Sequence, residues 1–302
     1  MNRWNRWFKS FRHYLEYLLF MLCMSLSRSL SLKQCESVAT RIGDFFYDRL
    51  KVRRSIVERN LEGTFADKSR EEIQALARQV YRRQALNIIE VLRLPLIKNR
   101  EDASELLDID GREFLEKTKK AGKGGVIVSA HFGNWELLGL CAGLMVSPMN
   151  IVVKHLGNPY IDRWITATRT LHGNSVIYQE HALRQGIKIL SNGGIMTVLG
   201  DQSDPTGGFT TEFLGRRSPV FLGPAFFALK TGAPLFLGMC RRQGDGRYIV
   251  EYQEIKTCDL SFCREDIEEL TRRHTKAIEE YIYRYPEEWF WLHNRWKIPY
   301  QE

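Results

Sequence analysis

"GGVIVSAHFGNWELLGLCAGLM", residues 124–145, decides the fold class. Its opening, "GGVIVSA", is a short apolar run rich in β-branched residues, whose side chains suit a pleated surface. "NWELLGLCAGLM" then reads as a helix, with Asn134 placed near its start as a cap. A strand followed at once by a helix is one unit of an α/β fold, and the unit recurs downstream. "NIVVKHL" (150–156), "SVIYQ" (175–179) and "GIMTVLG" (194–200) read as strands, separated by the helices "PYIDRWITATRTL" (159–171) and "ALRQGIKIL" (182–190). A turn-rich stretch, "DQSDPTGGFTTEFLGRRSP" (201–219), leads to the helix "VFLGPAFFALKTG" (220–232) and the strands "APLFLGMCRR" (233–242) and "RYIVEYQEI" (247–255). A long helix follows around 264–284. This alternation predicts an α/β domain with a mainly parallel central sheet flanked by helices, its last strand pair antiparallel.

Upstream the texture is helical. "REEIQALARQVYRRQALNIIEVLRLP" (70–95) has apolar residues at helical spacing, Ser69 as N-cap and Pro95 near its end. We therefore divide the 302 residues into an amphipathic and apolar membrane anchor over 1–35 and a catalytic-size domain over 36–302. That domain is read as helical over 36–110 and as the α/β core over 111–302. Hydrophobic content of 44% supplies a packed core. The six cysteines (Cys23, Cys35, Cys141, Cys240, Cys258 and Cys263) form no C-x-x-C pair. They suit small apolar residues in a reducing compartment rather than a disulfide framework or a zinc site.

Charge is concentrated at the start. Residues 1–54 carry 11 Lys/Arg against 4 Asp/Glu, a net of +7, which leaves about +1 of the total +8 for the rest. In the same segment Trp4, Trp7, Phe8, Phe11 and Leu15 recur at helical spacing, with Arg3, Arg6, Lys9 and Arg12 drifting around the other side. Aromatic and arginine side chains of this kind suit a bilayer surface, which makes an anionic membrane surface the expected partner. The apolar run between Glu16 and Arg28 is 11 residues, roughly 16 Å as a helix against about 30 Å of hydrocarbon. An interfacial anchor is therefore favoured over a spanning helix. Nucleic acid is not expected, because no helix-turn-helix, zinc or RNA-binding signature accompanies the charge.

His131 lies just past the C-terminal end of the strand and Glu136 in the first turns of the next helix, at the edge where open α/β sheets bind ligands. On one continuous helix the pair would be rotated apart by about 140°; across a strand-to-helix turn, with Gly133 for the tight bend, they can converge. A carboxylate on one imidazole nitrogen leaves the other to act as a base. Spacing alone favours a satisfied structural histidine over a catalytic one. No G-x-S-x-G elbow and no H-E-x-x-H is present, so neither a covalent intermediate nor a zinc centre is indicated.

"SAHFGNWELLG" resembles the H-x4-D/E motif of the lipid A biosynthesis (lauroyl/myristoyl) acyltransferases, relatives of the glycerolipid acyltransferases. "NPYIDRWITATR" is similar to the family's Asn-Pro-led helix ending in arginine, "VLGDQSDPTGG" to its strand-end aspartate, "FLGRRSPVFLGPAFFALKTGAPL" to the segment before its next strand, and "YPEEWFWLHNRWK" to its C-terminal signature. The matches run in order from about residue 14 to 297. The resemblance implies transfer of a fatty acyl chain from acyl carrier protein to a hydroxyl of a lipid A precursor, on the cytoplasmic side of the bacterial inner membrane. It makes His131 the general base and Glu136 its orienting partner, with Arg169 and Asp201 as substrate-binding positions. Their alternative is a structural ion pair at the strand ends. The donor is a thioester co-substrate, so no cofactor or metal is implied. The same chemistry on a glycosylated phospholipid or an aminolipid, or a catalytically silent membrane-binding relative, are the remaining readings. Arg216 and Arg217 loosely resemble the phosphate-binding arginine segment of glycerol-phosphate acyltransferases, with a surface pair as the equal alternative, and Arg295 is a secondary candidate for contact with an anionic headgroup.

Overall fold

The computed structural model describes residues 3–120, 122, 124–204 and 208–296. Its strands are β1 (Leu107–Asp110), β2 (Gly125–Ser129), β3 (Met149–Val153), β4 (Ser175–Tyr178), β5 (Ile195–Leu199), β6 (Phe209–Phe213), β7 (Arg216–Val220), β8 (Leu235–Arg242) and β9 (Tyr248–Ile255). Its α-helices are α1 (Arg3–Ser29), α2 (Leu32–Phe45), α3 (Arg54–Glu62), α4 (Arg70–Val91), α5 (Arg100–Leu106), α6 (Arg112–Lys120), α7 (Trp135–Met145), α8 (Pro159–Arg169), α9 (Ala182–Ser191), α10 (Gly223–Thr231) and α11 (Arg264–Arg284).

Seven strands form one sheet in the order β1-β9-β8-β2-β5-β3-β4. β2 lies at its centre, parallel to β8 on one side and β5 on the other. All five of its residues are buried. Alternation sends Val126 and Val128 into a core shared with α10 and α11, and Ile127 into the opposite core with α7. A strand covered on both faces must be apolar throughout, which is why "GVIVS" shows no polar alternation. Each such side chain contributes about 1.5–3 kcal/mol by burial. β8 and β9 pair antiparallel, as expected.

Two features depart from the sequence reading. β1 lies inside the span read as helical and pairs parallel with β9, placing Leu107 opposite Tyr248. A four-residue edge strand exists only through that distant partner. The stretch read as turns over 201–219 contains the antiparallel hairpin β6–β7; residues 205–207 of it lie outside the described residues. Leu214 and Gly215 close the hairpin, both at positive φ (51° and 73°). Two left-handed central residues make a tight hairpin turn, normally announced by Asn-Gly or Asp-Gly. Here Leu214 is fully buried in the core and its N–H donates to the Glu279 carboxylate, so tertiary contacts offset the strain.

α4 begins with a capping box, Ser69 Oγ accepting from Glu72 N–H and Glu72 accepting from Ser69 N–H. α1 is 27 residues long, longer than the amphipathic run alone suggests. One side packs on α8: Tyr17 stacks on Tyr160 at 5.6 Å, Phe20 meets Trp164 at 4.9 Å, and Asn158 Nδ2 donates to the His13 carbonyl at 2.8 Å. The other side exposes Trp7, Phe8, Phe11, Leu15, Leu19, Leu22 and Leu26. The side chains of Arg3, Trp4 and Arg6 lie outside the described residues. Among the described residues no helix is long and apolar enough to cross a membrane.

Candidate active site

The turn after β2 is held from two directions. Gly133 has φ 53°, and a Cβ there would sit 1.8 Å from the Cys240 carbonyl oxygen, so both the backbone and the space require glycine. Asn87 Nδ2 of α4 donates to the Gly133 carbonyl at 2.8 Å, and Asn134 Nδ2 donates to Glu90 at 3.1 Å while its Oδ1 caps α7 through Leu137 N–H. From the other side the C-terminal segment pairs with the turn like a short strand. Phe290 N–H donates to the His131 carbonyl at 2.9 Å, Gly133 N–H donates to the Glu288 backbone carbonyl at 3.0 Å, and Phe132 bridges Trp289.

His131 is thus fixed at the C-terminal edge of the sheet. β2 and β5 run parallel with Ser129 opposite Leu199, so the residues two further along, His131 and Asp201, leave the sheet side by side. Asp201 Oδ1 accepts from His131 Nδ1 at 2.9 Å, and its Oδ2 accepts from the Trp289 indole N–H at 2.8 Å. Asp201 is 1% exposed. Burial opposes charge on the His131 ring, but the Asp201 carboxylate and its hydrogen bond outweigh that and raise the His131 pKa above its ordinary value. Burial likewise opposes the Asp201 carboxylate, and His131 with the Trp289 bond outweighs it, holding Asp201 below the usual range. With Nδ1–H donated to Asp201, Nε2 carries the lone pair. The Gln202 amide nitrogen lies 3.3 Å from it.

Glu136 takes a different partner from the one its spacing suggests. In the first turn of α7 it accepts a two-pronged bond from Arg169, the last residue of α8, at 2.8 Å from Nε and 2.5 Å from Nη2. The expected His131–Glu136 bond is therefore replaced by two crossed pairs, His131–Asp201 and Arg169–Glu136. The reason is positional: the Nδ1 side of the ring faces the end of β5, where register puts Asp201. Glu136 still favours the charged imidazole through space, and Arg169 opposes it. The fork overcomes the burial of Arg169 and raises its pKa.

Both pairs border one cavity of about 880 Å³, which lies in the upper range of small-molecule sites. His131, Glu136, Arg169 and Gln202 line its polar end. Leu138, Ile151, Val153, Met196, Val198 and Phe227 make the rest a largely apolar chamber between α7, β3, β5 and α10. Among the described residues no group of three His, Cys, Asp or Glu side chains gathers to hold a metal ion.

The secondary candidates fall elsewhere. Arg216 stacks on Trp296 at 3.4 Å and donates to the Asn60 carbonyl, and Arg295 is fully buried over the Phe213 ring, donating to the Pro219 carbonyl. Both guanidinium groups are engaged in packing the C-terminal segment. Nothing local to "EEWFWLHNRWK" reveals that the Trp289 indole N–H meets a strand-end aspartate 88 positions away. Gln202, the neighbour of Asp201, had no sequence signal of its own.

The family model described as bacterial lipid A biosynthesis acyltransferase matches residues 6–298. The chain belongs to that family. It is an acyltransferase. The lipid A biosynthesis palmitoleoyltransferase of Escherichia coli is 24% identical over 262 residues, covering 86% of this chain and 84% of that one. The lauroyltransferase of the same organism is 26% identical over 251 residues, covering 82% and 80%. A phosphatidylinositol mannoside acyltransferase of Mycolicibacterium smegmatis is 25% identical over 211 residues, covering 68% and 67%.

Proposed function

We propose that this acyltransferase moves a fatty acyl chain from acyl carrier protein to a hydroxyl of a lipid A precursor, at the cytoplasmic face of the bacterial inner membrane. The observation that carries the reading is the His131 ring, fixed through Nδ1 by a buried carboxylate while the ring borders the apolar cavity. In the reaction Nε2 removes the proton of the acceptor hydroxyl as its oxygen attacks the thioester carbonyl. Asp201 stabilises the imidazolium that forms. The tetrahedral intermediate collapses with cleavage of the C–S bond, and the imidazolium returns its proton to the departing thiolate. The fork from Glu136 leaves Arg169 with a third guanidinium nitrogen and a fixed positive charge on the cavity wall, which opposes negative charge developing on the carbonyl oxygen. The thioester supplies the driving force, so these steps use no cofactor. The apolar chamber takes the acyl chain.

Similarity to a phosphatidylinositol mannoside acyltransferase favours a second reading, the same transfer onto a glycosylated phospholipid. Expression in a host whose lipid A lacks secondary acyl chains, read by mass spectrometry, separates them. Added acyl mass on lipid A supports the first reading. Unchanged lipid A, with acyl mass appearing on a mannosylated phosphatidylinositol supplied to the purified protein, replaces it with the second.

A further inference from the structure

α2 does not stop cleanly; it widens into a π-helical turn, Phe46–Leu50, before α3. Such turns recur at functional positions. Around it Ile42, Phe45, Phe46, Leu50 and Val52 are exposed, Phe45 and Leu50 by 51% each. Arg41, Arg49, Lys51 and Arg53 are exposed among them, so basic and apolar residues alternate without a buried position from 49 to 53. The acids of the segment are each paired: Asp44 accepts from Arg82 at 2.7 Å and Asp48 from Arg78 at 2.8 Å, both on α4. Arg54 is likewise paired with Glu58 and lies over the Tyr47 ring. Outside those pairs the exposed charged groups, Arg41, Arg49, Lys51 and Arg53, are all basic.

The segment is also held rigidly. Tyr47 is buried beneath it and donates to Glu58 at 2.7 Å, while the Tyr81 hydroxyl donates to the Val52 carbonyl. Lys51 and Arg53 sit in the left-handed region at φ 51° and 57°, which for non-glycine residues persists only where surroundings enforce it. Arg53 Nη1 donates to the Leu292 carbonyl at 3.0 Å, and the next residue, His293, lines the cavity.

We propose that residues 41–53 form a membrane contact in addition to the exposed face of α1, seated on an anionic phospholipid bilayer. Phe45, Phe46 and Leu50 enter the interfacial layer, and Arg49, Lys51 and Arg53 meet headgroup phosphates. A two-fold contact with a second copy would set these cations against themselves, which disfavours self-association. The link from Arg53 to the cavity wall orients the cavity toward the bilayer. The proposal rests on the reading of the acceptor as a membrane lipid only for this last step.

The test uses the full chain with vesicles of phosphatidylethanolamine and phosphatidylglycerol, and with phosphatidylcholine alone. Arg49→Gln/Lys51→Gln is expected to lose about 5-fold per charge in partition onto the anionic vesicles at low salt, with little change on phosphatidylcholine. Phe45→Ser/Phe46→Ser is expected to lose about 10-fold on both. Acyl transfer to an acceptor dispersed in detergent micelles should stay at the wild-type level in both variants. The charge variant alters only exposed side chains, so its result stands even if the aromatic variant melts early. Wild-type partition in both variants overturns the contact. So does a wild-type dimer by light scattering that the aromatic variant converts to monomer. A wild type that binds vesicles but transfers no acyl chain to any acceptor sinks the acyl-transfer step of the proposed function and leaves the contact standing.

Discussion

The two charged pairs at the cavity use similar chemistry and end in opposite states. His131–Asp201 joins two strand ends, and its carboxylate is buried behind the site with its second oxygen taken by Trp289. That leaves one ring nitrogen for chemistry. Glu136–Arg169 joins the start of one helix to the end of another, and its fork uses both carboxylate oxygens and two of the three guanidinium nitrogens. The first pair fixes an imidazole with its Nε2 unclaimed by the carboxylate; the second fixes a guanidinium through a two-pronged bond. Strand register brings the first together, while helix packing brings the second.

The largest blow to this contrast comes from His131→Ala. A general base contributes about 10²–10⁴-fold, so kcat should fall by that factor with little change in melting temperature. An alanine variant of undiminished rate would falsify the assignment. Asp201→Asn comes next, with an expected loss of roughly 10²-fold. The wild-type rate should fall as pH drops through the raised His131 pKa, because the protonated ring cannot accept a proton. Removing the carboxylate deletes the main interaction that raises that pKa and leaves the burial that lowers it, so the acidic limb should move to lower pH. A limb that stays in place, or moves up, would show that Asp201 does not govern the ring.

For the second pair, Arg169→Gln or Glu136→Gln alone leaves a mostly buried partner unmatched and should cost about 2–3 kcal/mol of stability. A double-mutant cycle in urea should give a coupling of about 1–2 kcal/mol, and additive losses would mean the fork is not an energetic unit. The smallest effect is expected from Trp289→Phe, which keeps the ring but removes the indole N–H from Asp201. It should cost about 1 kcal/mol and slow transfer far less than Asp201→Asn. An equal loss of rate would move Trp289 from support of the carboxylate to a direct part in the chemistry.

Much of the α/β core was legible because its signals are local. β-branched runs, Asn134 as a helix cap and the Asn158–Pro159 start of α8 each declare themselves within a few residues. β1 was hidden, since four residues with a partner about 140 positions on carry little local pattern. The β6–β7 hairpin was hidden for another reason: Leu214 stands where a turn residue is expected, and only its burial makes the left-handed conformation tolerable. At the site, all four candidates proved to be neighbours, but they were matched to the wrong partners. H-x4-E spacing allows Glu136 to approach the histidine; it cannot reveal that Asp201 approaches more closely from 70 residues away.

By itself the sequence determined the alternation of strands and helices from β2 to β5, the mainly parallel sheet, the family, and the position of His131 at a strand end. These follow from periodicity, turn chemistry and motif order, which are properties of the chain read in line. Tertiary structure alone decided which carboxylate holds the histidine, which cation the other carboxylate closes on, and that a C-terminal tryptophan supports the buried aspartate. Partners of that kind are set by strand register and by the packing of distant segments, and neither leaves a trace in local spacing.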